Sequence, residues 1–105
     1  MTQAASAVEI ANVILEQSRL GQLDYYDLSA FASILRTAKN YQVAAHIYYE
    51  WLGNAQSPFV ANVYCDLGDV LVELNDDEGA MRAFSNALHA FPGYLRARVG
   101  ISTCQ

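Results

Sequence analysis

Two thiols, two imidazoles and one acidic run are the groups in this chain whose chemistry could go beyond packing: Cys65, Cys104, His46, His89 and Asp76-Asp77-Glu78. A nucleophilic cysteine needs a neighbouring base to generate its thiolate, and the sequence around Cys65 supplies no recognisable one. His46 and His89 are both expected to be surface or helix-terminal residues. A charged His89 near a helix C-terminus would be favoured there. A metal on the acidic run would need further oxygen ligands converging from elsewhere. The simpler account is a helix start, where negative charge complements the helix dipole. No glycine-rich phosphate loop, Ser-His-Asp arrangement or paired-carboxylate motif is present. The expectation is a non-enzymatic protein with no cofactor and no metal.

Composition narrows the partner classes. At 105 residues the chain is read as one domain. Its six Lys and Arg are scattered, and its formal charge is −5. Binding to a phosphate backbone needs clustered cations, so nucleic acid is not expected as a partner. No apolar run approaches the roughly 20 residues that span a bilayer. Met1-Thr2-Gln3 lacks the positive charge of a secretory leader, and Ser6, Glu9 and Asn12 interrupt the apolar stretch that follows. Membrane association is therefore not expected. Isolated cysteines with no framework spacing fit a reducing cytoplasm.

The elements that would position any site are helices. Between Ala61 and Tyr94, Tyr64 is followed by Leu67-Gly68 and Leu71, then by Ala80, Phe84, Ala87 and Pro92. Small residues at 68, 80 and 87 let two helices approach closely, while Tyr64, Leu67, Leu71 and Phe84 fill the space between them. Pro92 cannot continue a helix and fixes the chain's exit. The same order occurs upstream: Leu28, Phe31, Ala32, Leu35, Ala44, Tyr48 and Trp51 each precede their counterparts by 36 residues. Trp51 is the departure, a large ring where the downstream copy has Ala87. Downstream, Arg98, Ile101, Ser102 and Gln105 fall 34 residues after Tyr64, Leu67, Gly68 and Leu71. Six helices are predicted, at about 3–20, 25–38, 41–53, 58–74, 77–90 and 93–104. Gly21 is read as a helix end, Asp24, Asn40 and Asn75-Asp76 as caps, and Ser57-Pro58 as the start of a helix.

This conjunction resembles the tetratricopeptide repeat (TPR), whose 34-residue signature sets a Trp-like residue, Leu-Gly, a Tyr-like residue, Ala, Phe, Ala and Pro at these intervals. The two extra residues of the upstream copy are assigned to the loop at 53–57. The resemblance implies an all-α fold of stacked antiparallel helix pairs forming a short right-handed solenoid. Residues 1–24 would be an N-terminal helix, 25–60 repeat one, 61–94 repeat two, and 95–105 the start of a third repeat or a capping helix.

The resemblance also implies a function: non-enzymatic binding of a protein or peptide partner in a concave groove lined by the first helix of each repeat. Carried over by register, the lining is Tyr26, Ser29, Ser33 and Arg36, then Asn62, Cys65, Asp69 and Glu73, with Arg96 and Val99 following. Asp69 and Glu73 would pair a Lys or Arg of the partner. The clamp with which some TPR domains grip a C-terminal carboxylate is not expected, because Ser29, Ser33, Cys65 and Asp66 stand where its Lys and Asn should be. An uncovered terminal helix would favour homodimers. Two alternatives belong to other classes. The chain could be the N-terminal repeat arm of a larger enzyme resembling bacterial O-linked N-acetylglucosamine transferases, or a protein similar to secretion chaperones.

Overall fold

The computed structural model describes Glu9, Glu16, residues 24–54 and residues 57–104. Its regular structure is entirely α-helical: α1 Tyr25–Thr37, α2 Tyr41–Asn54, α3 Val60–Glu73, α4 Asp77–Ala90 and α5 Leu95–Cys104. They fall into two compact units, Met1–Ala55 with α1 and α2, and Gln56–Gln105 with α3, α4 and α5. Within each unit consecutive helices pack on one another, and α5 touches α3 as well as α4. The expected helix at 3–20 and its end at Gly21 lie outside the described residues, apart from Glu9 and Glu16, which are helical and exposed.

The two hairpins repeat at the level of backbone hydrogen bonds. Helix α1 closes with Lys39 in the left-handed region at φ 62°, and α3 closes with Asn75 at φ 61°. In the first turn Asn40 N–H donates to the Leu35 carbonyl at 2.8 Å and Lys39 N–H to Arg36 at 3.0 Å. In the second, Asp76 N–H donates to Leu71 at 2.9 Å and Asn75 N–H to Val72 at 3.0 Å. Both are Schellman closures, which satisfy the last carbonyls of a helix. Each of these residues has its counterpart 36 positions later, and so do the helix boundaries Thr37 and Glu73, Tyr41 and Asp77, Asn54 and Ala90. The 36-residue register seen in the side chains is therefore also a register of turns.

Side chains cap the helices where the sequence places acids. Asp24 accepts from Asp27 N–H at 2.8 Å at the start of α1. Asp76 accepts from Gly79 N–H at 3.0 Å at the start of α4, with Asp77 and Glu78 in the first turn. One start departs from expectation. Helix α3 begins at Val60, not at Pro58, and no side chain caps it. Ser57 Oγ instead accepts from Phe59 N–H at 3.1 Å, a local turn that holds Pro58 and Phe59 outside the helix. Likewise α5 begins at Leu95 rather than at position 93. Phe91-Pro92-Gly93-Tyr94 forms a turn closed by Tyr94 N–H to the Phe91 carbonyl at 3.1 Å, with Gly93 at φ 94°. Proline followed by a positive-φ glycine is the signature of a type II turn.

The core follows the register. All the matched residues of both copies are buried except Phe31 and Tyr64, which are half-buried. Trp51, the departure from the pattern, is buried too. The downstream unit is organised around the ring of Phe84. A Cβ on Gly68 of α3 would stand 2.6 Å from that ring, and a Cβ on Gly100 of α5 would stand 2.5 Å from it. The ring is thus seated against bare backbone on two helices. The packing face of α5 is accordingly Ala97 and Gly100, whereas Arg98 and Ser102, the positions projected from α3, are exposed.

Gly68→Ala and Gly100→Ala are each expected to destabilise the protein by about 1–3 kcal/mol through overpacking against Phe84. Urea unfolding of the single variants and of the same variants in a Phe84→Leu background measures this. The penalty should shrink when the ring is gone; an unchanged penalty would show that the ring is not what the glycines accommodate.

Candidate functional site

The eight candidate lining residues divide between the units. Tyr26, Ser29, Ser33 and Arg36 recur at three- and four-residue spacing on α1; Tyr26 and Ser33 are exposed, Ser29 and Arg36 half-buried. In the second unit Asn62 and Asp69 are half-buried and Glu73 is exposed, all on α3. Cys65 is a correction: it is 0% exposed, so its side chain belongs to the core and lines no surface.

The polar centre of this unit was only partly anticipated. Arg96, on α5, donates from Nη2 to Asp66 Oδ1 and to Asp69 Oδ2, each at 2.7 Å. One terminal amine of a guanidinium therefore ties α5 to two carboxylates a turn apart on α3. Asp66 is the buried member of the trio, with a side chain 11% exposed, against 43% for Asp69 and 39% for Arg96. A buried carboxylate needs such a partner, because burying an unpaired charge is costly. Asp69 thus has a cation within the molecule, where the sequence reading assigned it to a cation of a partner. The signal for this was in the register: Arg96 lies 34 residues after Asn62, and Asp66 and Asp69 follow Asn62 along the same helix face.

Burial pulls the Arg96 guanidinium down, but hydrogen bonds to Asp66 and then Asp69 outweigh it and hold the group above its ordinary value. It is a fixed cation. Cys65 lies within the field of the same trio. Burial, opposed by Arg96 and reinforced by Asp69 and Asp66, pushes its thiol from 9.0 up to about 11. At neutral pH it is a protonated thiol, which is not the nucleophilic form. His46 and His89 are exposed, with His89 in the last turn of α4. Among the described residues no group of three His, Cys, Asp or Glu side chains converges as a metal site, and no helix is long and apolar enough to cross a membrane.

The polar groups on this face offer charge and hydrogen-bonding capacity. No protein-family model matches the chain, and no curated protein shows significant similarity to it.

Removing the cation should separate the two ion pairs. Arg96→Ala leaves Asp66 buried without this partner and is expected to cost about 1.5–3 kcal/mol. Asp69→Asn, at the exposed pair, should cost less than about 1 kcal/mol. Chemical denaturation of both variants checks the order; equal costs would mean that the buried bond does not dominate.

Cys65 makes stability fall in alkali. Between pH 9.0 and about 11 the unfolded chain has released the thiol proton while the folded chain keeps it, so rising pH favours unfolding. In a Cys104→Ser background, melting temperature should decline across this interval, and more steeply than in Cys104→Ser/Cys65→Ala. In the same background the native protein should react with a thiol reagent far more slowly than the urea-unfolded protein.

Proposed function

We propose that this chain is a TPR-like helical repeat module that binds a peptide or helix without turning it over. The two units would stack as a short right-handed solenoid, and the outer stripe of α3 would form the recognition surface. Support comes from the shared Schellman turns and helix boundaries at 36-residue spacing, which make the two hairpins copies of one design.

The observation that carries the binding reading is the charge distribution around Arg96. Asp66, Asp69 and Glu73 set three carboxylates on α3, and of the two arginines of α5 only Arg96 pairs with any of them, which leaves this group of four side chains at a formal charge of −2. Arg96 neutralises the buried end, so the residual negative charge lies toward Glu73, which is exposed and beyond the ion pairs. Asn62 adds an amide at the other end of the stripe. A segment carrying Lys or Arg and offering backbone groups to Asn62 suits this surface, whether extended or helical. The Tyr26, Ser29, Ser33 and Arg36 face of α1 is a second candidate surface, in the upstream unit.

Selection from a displayed random-peptide library tests the reading. Wild-type protein should enrich basic peptides whose binding weakens with salt. Glu73→Lys, at an exposed position, should abolish that enrichment while leaving the fold intact by circular dichroism. Binders unaffected by Asp69→Lys together with Glu73→Lys would refute recognition on this stripe.

A further inference from the structure

The α3 stripe leaves two other exposed helix edges unexplained. On α5, Leu95, Arg98, Val99, Ser102 and Thr103 recur at helical spacing and line a shallow depression of about 410 Å³. Leu95 is 72% and Val99 57% exposed. On α1, Asp27, Ala30, Ile34 and Thr37 form an exposed edge beside the proposed lining residues. Ile34 is 52% exposed and, with Ser33, Thr37 and Ala38, borders a depression of about 440 Å³.

The two edges are complementary. Each sets apolar side chains, Leu95 and Val99 on α5 and Ile34 on α1, among small or hydroxyl-bearing neighbours and one charge. The charges are opposite, and among the described residues neither Asp27 nor Arg98 has an ion-pair partner. Both charges sit in the first turn of their helices, at the third residue of α1 and the fourth of α5. Laid parallel with Asp27 opposite Arg98, the edge of α5 carries Val99 and Ser102 alongside Ala30 and Ile34. An antiparallel arrangement with the two helices fully overlapped would set Arg98 near Arg36 and, just past the end of α1, Lys39.

We propose that two copies of the chain associate head to tail, the α5 edge of one seated parallel on the α1 edge of the other. The net charge of −5 on each copy opposes approach in general, so the Asp27–Arg98 pair sets the orientation and register of the contact. The contact is one helix on one helix, which belongs to the weak, transient size class. Its two sides differ, so every copy offers one half of the contact on each of two helices.

Sedimentation velocity over a concentration series tests this, with circular dichroism confirming that each variant is folded. Wild-type average mass should rise with concentration. Arg98→Asp and Asp27→Arg should each weaken association several-fold, and the doubly reversed protein should regain it. Val99→Asp and Ile34→Asp should each be monomeric alone. Mixed, they should form one-to-one dimers and nothing larger, because each keeps one intact edge. Wild-type protein monomeric at every concentration, association persisting in Ile34→Asp, or a mixture that stays monomeric would each overturn the proposal.

Discussion

The downstream unit depends on the seat of one aromatic ring. Phe84 projects from α4 into a position where both Gly68 of α3 and Gly100 of α5 present no side chain. Three helices therefore take their spacing from a single side chain. Were either glycine a larger residue, the ring would have to move, and in a close-packed interior such a shift displaces neighbours. The surrounding alanines at 80, 83, 87 and 97, all buried, complete the same arrangement: thin walls around one thick side chain. In the upstream unit Tyr48 and Trp51 are the buried rings, and Ala32 stands in the place of Gly68.

Electrostatics then fixes what packing leaves free. Glycine and alanine contacts locate α5 without dictating its rotation, since they offer little shape. The bond from Arg96 to both Asp66 and Asp69 supplies that missing constraint, because it is directional and partly sheltered from water. The same bond disposes of a buried acid that would otherwise be a liability. Structure and surface charge are coupled here: the residues that orient α5 also decide how much negative charge the stripe presents.

Much of this was legible in the chain. The spacing of Tyr64, Leu67-Gly68, Leu71, Ala80, Phe84 and Ala87 located α3, α4 and the small-to-large contact between them, and the acids at 24 and 76 were placed as caps. The 36-residue copy of the pattern was equally plain. The failures share a cause. Ser57-Pro58 reads as a helix start by residue type, but the Ser57 hydroxyl is used by Phe59 N–H in a local turn, and composition does not tell which donor a hydroxyl will choose. Cys65 was set on the surface because a family register was carried over one residue at a time, while its neighbours one turn away, Ala61 and Gly68, are buried with it. On α5 the 34-residue register aligned Arg98 and Ser102 with Tyr64 and Gly68, yet the helix meets Phe84 through Gly100. A glycine with no side chain leaves almost no trace in a hydrophobic pattern, so its contact is visible only in three dimensions.

Asp76 has a consequence for changes of length in its turn. Its backbone N–H closes α3 by bonding to Leu71, and its carboxylate opens α4 by accepting from Gly79. The last bond of one helix and the first of the next meet in one residue. An insertion there would strip both ends at once, so the hairpin tolerates no intermediate lengths. The connection that follows Asn54 carries no such double duty among the described residues. A change of length in this turn thus acts on two helices, not one.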